Sequence, residues 1–272
     1  MNELSASTSE TDVLPETVAI SVENISASYQ VRREVRLTTT LRDGFSNFRQ
    51  GAGSTRLVPA LRGVSATVPQ GSVLGVLGRN GAGKSTLLRA IAGIIPPTAG
   101  RIVVRGEISA LLTAGIGFNR QLTGRTNIEL GALAMGFPDD RIGDLTGSVA
   151  EFAQLGEYID FPMRTYSSGM SMRLSFALAA HLDPEILLID EALAGGDSKF
   201  KERVAGKMKE LCSSGRTIVL VSHAMRVLKT MASSCLWLHQ GKVIEYGDPE
   251  DVIRQYLRFC RLEASSEGLD DE

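Results

Sequence analysis

The chain has 272 residues, 43% of them hydrophobic and 22% charged, the composition of a globular protein able to bury a sizeable core. A formal charge of -2 lacks the basic excess that marks nucleic-acid partners. No apolar run approaches the ~20 residues that span a bilayer, and the first 17 residues hold four acids, no Lys or Arg and no apolar core, so neither a membrane segment nor a signal peptide is expected.

In chain order, residues 1–17 are rich in Ser, Thr and Glu without periodicity and read as a solvated tail. Tyr29 precedes the first core strands, and about thirty residues separate it from Ala60-Leu61-Arg62-Gly63-Val64. Within that stretch Leu37, Leu41, Phe45 and Phe48 fall on one helical face. Arg32, Arg33, Arg36, Arg42, Arg49 and Arg56 outnumber Glu34 and Asp43, so the spacing predicts a short basic amphipathic helix in an insertion at about 30–58.

Val73–Leu77 is an apolar run followed by a helical pattern from Lys84. Ile186–Ile189 and Thr217–Val221 are further apolar runs, the latter again followed by a helix. This alternation predicts an α/β core with a largely parallel sheet. From about Thr126 to His181 the strand signal is lost and Ile128, Leu130, Leu133, Phe152, Leu155, Leu174 and Leu178 recur at helical intervals, which predicts an inserted helical lobe, bounded at about 117–181. Cys212, Cys235 and Cys260, odd in number and widely spaced, read as reduced thiols of a cytosolic protein rather than a metal or redox site. Residues 259–272 carry five acids and read as an acidic tail.

Gly78-Arg79-Asn80-Gly81-Ala82-Gly83-Lys84-Ser85-Thr86 fits the phosphate-binding pattern G-x-x-x-x-G-K-[ST] and stands between a strand and a helix, where that pattern has its mechanism. The glycines let successive N–H groups converge on phosphate oxygens at a positive helix end, and Lys84 supplies a point charge for the β- and γ-phosphates. Ser85 offers a hydroxyl to Mg²⁺, whose shell needs a further oxygen ligand. The apolar strand Ile186–Ile189 emerges as Asp190 and Glu191, which read as the magnesium-side acid and the base for an attacking water.

Tyr166-Ser167-Ser168-Gly169-Met170 precedes that acidic strand and opens a helical run. With this order of motifs the chain, from about Val18 to Leu257, resembles the ATPases of the ABC family. The resemblance implies a P-loop NTPase (RecA-like) core with an inserted helical subdomain, residues 18–258 forming the ATPase domain. It implies that Ser167, Ser168 and Gly169 form the signature that meets the ATP held by the P-loop of a second copy, that His223 contacts the γ-phosphate, that Asp197 belongs to the loop between subunits, and that Tyr29 stacks on adenine. The implied cofactors are ATP and Mg²⁺, and the nucleotide is held by Tyr29, Gly78, Asn80, Gly81, Gly83, Lys84, Ser85 and Thr86. His181 and His239 match no motif position. The family's usual glutamine is absent from Leu112-Thr113-Ala114-Gly115-Ile116, and Gln121 is displaced from its place.

Tyr-Ser-Ser-Gly-Met, Gly115-Ile116-Gly117-Phe118 leading to Leu122-Thr123-Gly124-Arg125 and Asn127, Glu191-Ala192-Leu193-Ala194, and the insertion after Tyr29 resemble the ATPase subunits of polysaccharide and teichoic-acid exporters. That branch implies an ATP-hydrolysing subunit at the cytoplasmic face of the membrane, held there by two copies of an integral permease, with a lipid-linked glycan as cargo and no carbohydrate-binding domain. The insertion is then a contact for the permease or for phospholipid headgroups. The alternatives are an ABC ATPase serving another cargo and a soluble ABC ATPase outside transport.

Overall fold

Strand runs buried at every position need cover on both faces. In the computed structural model, which describes residues 17–32, 55–111, 118–190 and 198–267, that cover comes from a second sheet on one side and helices on the other. The second sheet is antiparallel, of order β2-β1-β4, with β1 at Val18–Arg32, β2 at Thr55–Pro69 and β4 at Ala99–Val104. The central sheet contains β3 (Val73–Leu77), β5 (Ile108–Leu111), β6 (Ile186–Ile189), β7 (Thr217–Val221), β8 (Ser234–His239) and β9 (Lys242–Gly247), in the order β5-β6-β7-β3-β8-β9. Pairing is parallel throughout except between β8 and β9.

Alternate residues of the central strands divide the core. Leu74, Val76, Val219, Val221, Leu236 and Leu238 face the second sheet together with Leu87, Leu88 and Ile91 of α1 (Lys84–Ile91). Val73, Leu77, Ile218, Leu220, Cys235 and Trp237 face the helices on the other side. Three helices form the lobe expected from the sequence: α2 (Gly124–Ala134), α3 (Asp139–Ala153) and α4 (Ser168–His181). α4 is shared, since Leu174, Ala177 and Leu178 pack into the lobe while Met172, Phe176 and Ala180 pack on the central sheet. Leu130 and Leu133, which belong to the helical spacing read from the sequence, are about half exposed on α2.

Beyond the lobe come α5 (Ser198–Ser213), α6 (Met225–Met231) and α7 (Pro249–Glu267). The C-terminal boundary differs from the sequence reading: residues 259–267, read as tail, continue α7. Asp248 caps that helix by accepting from the backbone N–H of Glu250 at 2.8 Å, and Ile253, Tyr256 and Phe259 seat it on the core. Residues 30–32 and 55–58, read as part of the insertion, are paired strand, with Arg32 opposite Thr55. The helical face Leu37, Leu41, Phe45 and Phe48 lies outside the described residues.

The Leu122-Thr123-Gly124-Arg125 and Asn127 motif is explained by local hydrogen bonding. Thr123 caps α2 by accepting from Thr126 N–H at 3.1 Å. Asn127, buried, accepts from Asn119 N–H at 2.7 Å and donates to the carbonyls of Asn119 at 3.0 Å and Thr123 at 2.8 Å. Arg125 forms a two-point pair with Asp160 at the surface, which holds that carboxyl below the usual carboxylate range. Removing Asn127 strands buried backbone groups, so Asn127→Ala is expected to lower stability by about 1–3 kcal/mol in urea unfolding. Asp160→Ala, which breaks an exposed pair, is expected to leave the midpoint almost unmoved.

Candidate functional site

In parallel sheets ligands sit outside the carboxyl ends of the strands. Here β6, β7 and β3 are parallel neighbours, so their ends deliver three sequence-distant groups to one edge: Asp190 after β6, His223 after β7 and the P-loop after β3. Together with Tyr29, Val58, Pro59 and residues 80–86 they line a cavity of about 540 Å³. The expected nucleotide residues Tyr29, Asn80, Gly81, Gly83, Lys84, Ser85 and Thr86 meet there, while Gly78, the loop's first residue, does not line the cavity.

The loop's shape demands its glycines. Gly78 has φ +148° and a Cβ there would strike the Leu238 carbonyl, while Gly83 has φ +107° and a Cβ would fall 2.6 Å from the Ala60 carbonyl oxygen. From outside, Gly241 N–H donates to the Ala82 carbonyl at 2.9 Å. Lys84 is 7% exposed, and its Nζ donates to the carbonyls of Gly78 at 2.7 Å and Arg79 at 3.0 Å, with His223 Nε2 at 3.4 Å. A buried ammonium at the N-terminal turn of α1 makes the cavity attractive to a phosphate anion. Asp190 is buried beside it and Ser85 shares the cavity wall. These two oxygen donors suit a hard divalent cation that takes the rest of its shell from phosphate and water.

Tyr29, on β1, is 36% exposed, and its hydroxyl lies 3.2 Å from Thr86 Oγ1. Its ring thereby stands at the open wall of the cavity opposite Val58, its partner in β2. Ser167 caps α4, accepting from Met170 N–H at 3.2 Å, and Ser167 and Ser168 are exposed. Neither lines the P-loop cavity of its own chain. Tyr166 anchors this helix start: its ring is buried in the lobe, its hydroxyl donates to the Tyr158 carbonyl at 2.6 Å, and burial pushes the phenol up from its usual range. Glu191 and Asp197 lie outside the described residues, as does the 112–117 segment. Gln121 is exposed, its backbone N–H donating to Asn119 Oδ1.

Residues 61–194 match the family model described as ABC transporter. The chain carries an ATP-binding domain of the ABC family. Among its relatives are the O-antigen export system ATP-binding protein RfbB of Myxococcus xanthus, 40% identical over 253 residues, which are 92% of this chain and 58% of that protein. The teichoic acids export ATP-binding proteins TagH of Shouchella clausii and Bacillus anthracis are 43% and 42% identical, over 72% and 74% of this chain and 54% and 37% of theirs. The chain thus spans less than two thirds of the length of these curated relatives. Among solved structures, an ATP-binding subunit of an ABC transporter has a TM-score of 0.70 at 22% identity, covering 88% of this chain and 93% of that one. A dimeric ATP-binding cassette in a post-hydrolysis state bound to ADP and Pi has a TM-score of 0.68 at 20% identity, covering 85% and 98%. At that identity the likeness concerns the fold, which is that of an ABC ATPase.

The sequence reading missed the outer supports of the ABC P-loop: Ala60 and Leu238, whose carbonyls crowd its glycines, and the β8–β9 turn at Gly241. They carry no motif, because each acts through its backbone. Gly83→Ala, which sets a methyl group against the Ala60 carbonyl at a positive φ, is expected to weaken ATP binding at least tenfold in calorimetric titration. Gly81→Ala faces open space and is expected to cost less.

Proposed function

We propose that this chain hydrolyses ATP as the motor subunit of an exporter that moves a lipid-linked polysaccharide across the cytoplasmic membrane. The observation that carries the hydrolytic part is the meeting of Lys84, Asp190 and His223 at one sheet edge around a cavity open enough for a nucleotide. The cargo class rests on the 40–43% identity to relatives named for O-antigen and teichoic-acid export.

Tyr29 stacks on the adenine, an interaction worth about 1–3 kcal/mol per base. The loop N–H groups and Lys84 bind the phosphates. Ser85 and Asp190 would hold Mg²⁺, which would supply neutralising charge to the phosphate oxygens. Glu191 takes the proton of the attacking water, and His223 holds the terminal phosphate toward it. The exposed start of α4, with Ser167, Ser168 and Gly169, completes the site of a second copy, and Asp197 lies in the loop between the two. This reading is supported by the exposure of Ser167 and Ser168 at the capped start of α4.

Two permease subunits take up the motion and hold the chain at the cytoplasmic face. Exposed apolar side chains on the lobe, Leu130, Leu133, Met135, Tyr158 and Phe161, offer a surface for them. Among the described residues no helix is long and apolar enough to cross a membrane. The basic insertion after Tyr29 is a second contact, with the permease or with phospholipid headgroups.

Glu191→Gln is expected to bind ATP and pair while phosphate release falls by about 10²–10⁴-fold, the worth of general-base assistance; release near the wild-type rate would remove Glu191 from that role. For the cargo, depletion of the protein in its native cells is expected to accumulate one lipid-linked glycan on the cytoplasmic side. Unchanged pools with normal surface glycan would sink the exporter reading and leave the ATPase.

A further inference from the structure

The P-loop is also held by the far end of the chain. Arg79, its second residue, donates from Nη1 to Glu263 Oε2 at 2.7 Å, across 184 positions of sequence. α7 reaches the loop because its aromatic face grips β8. The Trp237 ring centroid lies 5.7 Å from that of Tyr256 and 5.2 Å from that of Phe259, and Phe259 also meets His239 at 5.0 Å. β8 pairs with β3 at the foot of the loop, and the turn after β8 donates Gly241 N–H to the Ala82 carbonyl. Burial, with the neighbouring Cys260, pushes the Tyr256 phenol up to about 12. The helix therefore supports the loop twice, through β8 and directly at Arg79.

We propose that Glu263 is a positioning residue of the nucleotide site, acting through Arg79 to hold the first turn of the P-loop in its phosphate-binding shape. The proposal rests on the ATP-binding reading and deepens it. The Arg79 carbonyl is one of the two that receive Lys84 Nζ, so the backbone that Glu263 restrains is the backbone that sets the lysine. Without the carboxylate, Arg79 loses this contact to α7, and the first turn of the loop is held less firmly when nucleotide binds. The side chains are 51% and 32% exposed, so the restraint is solvent-screened and its effect on affinity is a few-fold rather than all-or-none.

The test is steady-state phosphate release, with calorimetric ATP titration, on the full chain and on Glu263→Gln, Arg79→Gln and the double variant. Glu263→Gln is expected to raise KM and Kd for ATP about two- to fivefold with kcat and the thermal midpoint unchanged. The double variant is expected to be no weaker than Arg79→Gln, because the two act as one unit. Raising salt should bring the wild type toward Glu263→Gln, since the pair is screened. Wild-type affinity in Glu263→Gln, or independent additive losses in the double variant, would overturn the proposal while leaving the nucleotide site intact. A wild-type chain that binds no ATP would instead overturn the site reading and this proposal with it.

Discussion

The site depends on one buried cation. Lys84 sits at the first turn of α1 with its ammonium turned back onto the carbonyls of its own loop, and burying such a charge is tolerable only where oxygen acceptors surround it. The surrounding structure supplies that arrangement. Gly78 and Gly83 allow the loop to close tightly against Leu238 and Ala60, and the parallel strands bring Asp190 and His223 to the same edge. A loop with side chains at those two glycines would collide with backbone, which moves far less readily than a side-chain tip.

The two faces of the central sheet divide the work. The antiparallel sheet on one face brings Tyr29 and Val58 to the mouth of the cavity, while the helices of the other face carry the lobe and α7. α4 links them: apolar on two sides, it is at once a core helix and the lobe's third helix, and its N-terminal turn displays the serines of the signature to solvent. A shift of the lobe therefore moves these serines with it, as the proposed pairing with a second copy would need.

Much of this was legible in the sequence where chemistry is contiguous. The P-loop and the apolar run ending in Asp190 each lie at a strand end, so a linear pattern located them, whereas the histidine after Thr217–Val221 followed from the family resemblance. The antiparallel sheet was not legible, because β1 pairs through several register shifts that break the alternation of a strand. The last turns of α7 were misread because Glu263 and the serines after it have the composition of a tail, whereas Phe259 and the Asp248 cap tie the helix to the core. Leu130 and Leu133 kept helical spacing with their neighbours yet face outward, since periodicity locates a face but not what covers it. The Glu263 contact to Arg79 left no signal at all, being a pairing of two distant surface charges.

In the proposed motor the site is completed by a second copy of the chain. The most direct measurement follows ATP hydrolysis by the purified chain over a range of concentrations, with sedimentation of the same samples. Specific activity is expected to climb with chain concentration in step with the dimer fraction. Sustained hydrolysis by chains that sediment as monomers would contradict it.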